Sequence, residues 1–412
     1  MNFLTVKSML AWILCLLLAF GFTLRGSSTS ILLLLSFISF GLLIVSPKVR
    51  RGYMVCWETN RGWIIAMCML AVLILLRELV GPVVQLRHVD ASSRLMLAIP
   101  LFALIYSVGG IDLNKIRWGC FFGVLGMFFS GLYNYHQTGD IRLHSAFTNT
   151  IPFGAFCFVF ALIFSIWSYG KSRCYSLASI FIFILSLMVV FLSQSRGVWV
   201  GCIVASIFLL FMDRALTLWK TMLFVFLGVT LIVVAYLNIE IFQARVDITI
   251  SEFNGYFIGK RDGSVDMRMD MAWASFYILK LYPIFGVGRD LVPMMSAMHQ
   301  NGLIDVNISD AADLHGELFY NIASLGIFGL VYYVLFYLFT IYPYFLLCRF
   351  KKGNSRRIGL IGCSVAIIFF FTGFTHITFG LAMYASIYAV IQAVLLSSSL
   401  CFQQEILKGN GK

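Results

Sequence analysis

The chain has 412 residues, of which 60% are hydrophobic and 12% charged. Soluble domains carry about 25% charged residues, so this composition excludes a string of water-soluble domains and points to lipid as the solvent. The net charge of +12 is not a nucleic-acid signal, because the basic residues are scattered over short connections between apolar runs.

A helix needs about 20 apolar residues to cross the hydrocarbon of a bilayer. In chain order the runs lie at about 9–24, 30–46, 63–81, 95–109, 118–135 and 151–169. They continue at 175–193, 197–212, 218–238, 318–348, 358–374 and 378–398. The first run follows Lys7, lacks a small-residue cleavage site and is soon followed by a second run, so it reads as a retained span. The expectation is an all-α polytopic membrane protein of about 12 transmembrane helices, one integral membrane domain over 1–412. Its one long polar interruption, 239–316, joins spans 9 and 10.

Charge fixes the orientation. The stretches Lys48–Arg61, Lys115–Arg117, Lys171–Arg173, Arg214–Lys220 and Arg349–Arg357, with Lys7, Lys408 and Lys412, hold 18 of the 30 basic residues. All fall on one side if twelve spans alternate, and the opposite short connections hold only Arg25, Arg87, Arg94, Arg142 and Arg196. The positive-inside rule then makes both termini cytoplasmic and turns the long loop outward. The loop has no cysteine, so no disulfide holds it.

Within the loop, 239–251 alternates apolar and polar residues loosely and 255–263 reads as a turn-rich connection. Ser264 to Leu281 is expected to be helical, with Val265, Met269, Ala272, Trp273, Phe276 and Leu279 recurring at helix spacing. Tyr282-Pro283 closes that helix, which is suited to lie on a membrane surface. Gly286-Val287-Gly288-Arg289-Asp290 is a flexible turn. Ser309-Asp310 offers an N-cap for a helix continuing into the tenth span, which would place His315 about two turns inside it.

No CxxC, HExxH or clustered His/Asp ligand set occurs, so no metal site is expected. No glycine-rich GK[ST] phosphate loop occurs either, so chemistry must draw on an activated substrate or a gradient. His315 is the candidate general base, because its side chain titrates near neutral pH; the competing reading is an interfacial histidine at a helix start. His88, His136, His144, His299 and His376 read as structural or solvated. Arg196 stands between two apolar runs with no room for a long loop, and such an arginine marks an ionic partner or snorkels to the interface. Arg268 lies between Asp266 and Asp270, and Arg289 follows the Gly-Val-Gly turn. All three share the predicted face of His315, and guanidinium forks around one point would suit a diphosphate. Arg77 and Glu78 diverge by about 100° on a helix, so they are expected to pair with other segments rather than each other; their roles stay open. Phe147 to Pro152 enters the sixth span as a helix start or the lining of a vestibule.

These residues resemble the O-antigen ligase family of bacterial inner-membrane enzymes, related to O-antigen polymerases. The resemblance rests on Leu192-Ser193-Gln194-Ser195-Arg196-Gly197, Met267-Arg268-Met269 and Tyr282-Pro283-Ile284-Phe285-Gly286-Val287-Gly288. With them go Leu314-His315-Gly316 and Leu325-Gly326-Ile327-Phe328-Gly329-Leu330. The family's signature is His, then Asn, Ser or Gln, then nine residues, then Gly; His315 and Gly326 keep the spacing, and Gly316 departs from it. The resemblance implies metal-independent, cofactor-free glycosyl transfer on the periplasmic face. The donor would be O-antigen polysaccharide on undecaprenyl diphosphate and the acceptor a sugar hydroxyl of lipid A–core. His315 would be the base, and Arg196, Arg268 and Arg289 would hold the diphosphate. The alternatives are an O-antigen polymerase, which extends the carrier-linked glycan, and a lipid-linked glycan transporter or flippase. Transporters place charges near mid-membrane on broken helices, whereas these charges are expected at the outer face.

Overall fold

The computed structural model describes residues 3–81, 84–140, 142–212, 230, 236–238, 240–257, 264–350 and 353–409. Every regular element among them is helical, and nine helices are long and apolar enough to cross a membrane. Two shorter apolar helices, Thr5–Phe20 and Arg196–Met212, coincide with the first and eighth expected spans. The ninth, 218–238, lies largely outside the described residues. The protein is an all-α polytopic membrane protein.

The chain divides into two compact units. The larger, Met1–Ala205 with Tyr332–Lys412, opens with α1 (Phe3–Phe20), α2 (Ser27–Val45), α3 (Pro47–Thr59) and α4 (Arg61–Val80). Then come α5 (Arg87–Met96), α6 (Ala98–Ser107), α7 (Leu113–Thr138), α8 (Thr150–Ser168), α9 (Arg173–Leu192) and α10 (Arg196–Met212). The second unit, Ser206–Val331, carries α11 (Glu240–Phe257), α12 (Ser264–Leu281), α13 (Val292–Gln300) and α14 (Glu317–Leu325). Helix α15 (Ile327–Cys348) leads back to α16 (Asn354–Thr372) and α17 (Ala382–Gly409).

Burial separates the spans of the larger unit. Helix α8 is 83% buried over its apolar window and α9 only 28%. A helix apolar on all sides can do either where the solvent is lipid. Helices α1 and α7 approach closely along Gly119 and Gly123, where a Cβ would meet the Cys15 and Leu18 carbonyls at 2.6 and 2.7 Å; small residues four apart let backbones pack this way in membranes. Polar side chains start the long helices: Asp112 accepts from the Asn114 amide at 3.0 Å, and Asn149 from the Ile151 amide at 3.1 Å. The segment before the sixth span is thus a capped helix start. The basic connection after α2 proves to be helix α3, whose Gly52 lies against the Ala103 carbonyl. Arg77 and Glu78 sit near the end of α4. Buried Glu78 accepts from His88 Nδ1 at 2.8 Å and from the Gln85 amide at 2.9 Å, tying α4 to α5.

The second unit has a core of its own. Met271, Ala274 and Ile278 of α12 meet Leu291, Met295 and Met298 around α13, with Leu314 and Ala323 closing the cluster. Helix α12 has the bounds that the spacing predicts. The predicted stripe of large side chains faces outward, with Met269, Trp273 and Phe276 38%, 43% and 54% exposed. An apolar stripe left open in this way suits a membrane surface. The loosely alternating stretch after position 239 is helix α11 rather than extended chain.

The tenth span requires correction. It is not one helix from 318 to 348: α14 ends at Leu325, Gly326 takes φ 64 and ψ −141, and α15 begins at Ile327. Glycine alone populates positive φ with such a ψ readily. The Tyr282–Gly288 turn packs into the break: Ile327 N–H donates to the Pro283 carbonyl at 2.8 Å, and the Val287 and Gly288 amides donate to Ala323 and Ser324 at 3.0 Å. A Cβ on Gly286 would stand 2.4 Å from the Ala323 carbonyl oxygen, so two of the glycine-rich motifs are the two sides of one contact.

Candidate functional site

His315 is not inside a helix. Ser309-Asp310 follows a 3-10 turn at Val306–Ile308 instead of starting a helix, and the N-cap of α14 is Gly316. The physical reason lies in the neighbouring anchors. Ile308 and Leu314 are buried in the loop core, and Asp313 Oδ1 accepts the His315 backbone N–H at 2.9 Å. That bond holds His315 at φ 47, a left-handed conformation rare outside glycine. Gly316 is extended, and the first helical bond runs from the Tyr320 amide to the Gly316 carbonyl at 2.8 Å.

The same carboxylate oxygen sits 2.7 Å from His315 Nδ1. A carboxylate only accepts, so in the neutral ring Nδ1 carries the proton and Nε2 keeps its lone pair. The ring is 56% exposed. The Asp313 hydrogen bond raises the imidazole pKa above its usual value; partial burial pulls it down, the Asp313 charge raises it, and the Arg268 charge lowers it. The result is an oriented imidazole with one nitrogen free for a hydroxyl proton.

Arg268, on α12 beside buried Asp266 and Asp270, therefore lies within electrostatic reach of His315. Arg289 is mostly buried, at 8% exposure. Its Nη2 donates to Asn321 Oδ1 at 2.8 Å, and its guanidinium stands 4.5 Å from the centre of the Tyr320 ring. The Tyr320 hydroxyl donates to the Arg289 carbonyl at 2.9 Å, and Asn321 Nδ2 donates to buried Glu317 at 3.2 Å. Arg289 Nε has no partner among the described residues. The second unit thus brings His315, Arg268 and Arg289 to α14 and its entry. Arg196 belongs to the larger unit, where it opens α10 after Gln194 at φ 52 and Ser195.

Asp313, Tyr320 and Asn321 contact the candidate residues and were passed over by sequence reasoning. The available signals were an aspartate two residues before the histidine, which is the spacing of an Asx turn, and Glu317 with Asn321 at i, i+4.

The His–x–nine–Gly signature now has a structure: the nine residues are α14, Glu317–Leu325, with His315 before its cap and Gly326 at its end. Residues 181–334 match the O-antigen ligase family model. Over those residues the chain is similar to the O-antigen ligase family. The ligase-family segment takes in His315, Arg196, Arg268, Arg289 and both sides of the Gly286–Gly326 contact. The match indicates an enzyme of the O-antigen ligase/polymerase type, a class that acts on lipid-linked glycans. No curated protein matches the chain.

Proposed function

We propose that this protein transfers O-antigen polysaccharide from undecaprenyl diphosphate to a sugar hydroxyl of lipid A–core, on the periplasmic face of the bacterial inner membrane. The observation that carries the reading is the Asp313–His315 pair, whose Nε2 is left unprotonated on an exposed ring. Nε2 removes the acceptor hydroxyl proton, the oxygen bonds to the anomeric carbon, and the bond from that carbon to the diphosphate oxygen breaks. One displacement inverts the anomeric centre. Arg268 and Arg289 bind the diphosphate and neutralise its growing charge; the unused Nε of Arg289 supports its part. The donor is already activated, so neither nucleotide nor metal is needed.

The test mixes purified protein with undecaprenyl-diphosphate glycan and acceptor lipopolysaccharide, without nucleotide. Glycan-capped lipid A–core is the expected product. Growth of the glycan on its polyprenyl carrier would assign polymerase activity instead, and lipid-linked glycan moved between leaflets with no product would reject both enzyme readings. His315→Ala should lower capping by about a hundred- to ten-thousand-fold, the usual worth of a positioned base, while membrane insertion is unchanged.

A further inference from the structure

Arg117, near the start of α7, is 2% exposed and belongs to none of the groups used above. Among the described residues its one hydrogen bond, from Nη1 to Ser168 Oγ, is long at 3.5 Å, and its Nε has no partner. Aromatic rings surround the guanidinium: Tyr175 at 4.3 Å, Trp118 at 5.5 Å and Phe164 at 5.8 Å. Ring faces attract a cation but bring no counter-charge. A buried guanidinium without an anion is costly in a membrane protein and marks an ionic partner.

Two more cations adjoin it. Lys171, exposed on the α8–α9 connection, stands 5.7 Å from the same Tyr175 ring and donates to Asn114 Oδ1. Arg357, on the first turn of α16, donates to the Tyr169 carbonyl at 2.8 Å and reaches over Trp167 at 6.0 Å. Burial, and after it the like charges of Arg117 and Arg357, push the Lys171 pKa down. The nearby acid, Asp112, already accepts two bonds from Asn114. The cluster is rich in donors and short of acceptors.

We propose that Arg117, Lys171 and Arg357 form a binding site for a phosphate group, carried by a lipid headgroup or free in solution, where α7, α8, α9 and α16 meet. A buried fork with two outer cations suits a phosphate group, which offers several oxygens and more than one negative charge to three cations. Basic pockets between helices are where anionic headgroups bind, and the tryptophans belong at headgroup level. The site is independent of the glycosyl-transfer reading, since none of its residues serves that reaction.

The test uses the full chain in phosphatidylcholine nanodiscs, challenged with cardiolipin, with phosphatidylglycerol and with inorganic phosphate. Lipids retained in native mass spectrometry and the melting temperature are read. Anionic lipid should be retained in preference to phosphatidylcholine. The pair Lys171→Gln and Arg357→Gln should weaken that retention by about tenfold or more. Melting in pure phosphatidylcholine shows that the variant is folded, and Arg117→Lys, which keeps the charge and loses the fork, should fall between. Stabilisation of the wild type by millimolar phosphate, lost in the double variant, assigns free phosphate as the ligand; a response to lipid alone assigns the headgroup. Absence of any anionic preference or phosphate effect in the wild type overturns the proposal, as does equal retention by a folded double variant.

Discussion

His315 shows how one neighbour sets both geometry and charge. Asp313 fixes the backbone through the amide and the ring through Nδ1, and the second bond raises the imidazole pKa. A general base works only when neutral, so activity should rise with pH through a midpoint above the ordinary histidine value of about 6.5. Asp313→Asn removes the charge that favours imidazolium, and its midpoint should move to lower pH. Its plateau rate should fall as well, because the ring loses its orientation. Arg268→Gln removes a charge that opposes protonation, so the midpoint should move up. A pH profile of glycan transfer checks both directions, and coincident profiles for the three proteins would refute the assigned couplings. Linkage adds a sign. With the folded pKa raised, the pair's contribution to stability is complete below the unfolded value and is lost as pH rises through the folded one. His315 could be singled out from residue type alone, whereas Asp313 could not, because its contact with the ring depends on a turn that no periodicity reveals.

At the scale of elements, the sequence disclosed helices well and their interruptions poorly. The bounds of α12 could be read from spacing and from Tyr282-Pro283, since a proline and an apolar stripe are local signals. The break at Gly326 was hidden inside an unbroken apolar run, because hydropathy reports solvent and not φ. The departure at Gly316 also gains a meaning here. The position is the N-cap of α14 and makes no side-chain cap bond, whereas the Asn or Ser expected of the signature are good caps and Gln is not. Gly316→Ser should therefore stabilise α14 by only about a few tenths of a kcal/mol and make the loop slightly more resistant to protease. Gly326→Ala should do the reverse. Its conformation alone costs a side chain about 1–3 kcal/mol, and the new Cβ would meet the Ile284 carbonyl oxygen at 2.6 Å. Limited proteolysis should then cut the 282–288 turn faster than in the wild type, and an unchanged pattern would show that this contact does not hold the second unit together.

For the whole molecule, charge and contact agree on one end of the larger unit. Lys7 donates to the Gly109 carbonyl at 3.0 Å, Lys115 to Ser8 Oγ at 2.5 Å and Arg357 to the Tyr169 carbonyl at 2.8 Å. The basic connections that alternation assigns to one side are thus knit together by hydrogen bonds between different helices. Basic residues are retained on the cytoplasmic side during insertion, so this end should face the cytoplasm and the 239–316 loop the periplasm. The chain supplies its own reporter: Cys174, beside Arg173 at the start of α9, is exposed, and the loop has no cysteine. In intact spheroplasts a membrane-impermeant maleimide should label Asn301→Cys, at an exposed position after α13, and leave Cys174 unmodified until the membrane is opened. Labelling of Cys174 from outside with Asn301→Cys protected would invert the topology. His315 would then face the cytoplasm, where a periplasmic lipid A–core acceptor could not reach Nε2, and the glycosyl-transfer reading would fall with the orientation.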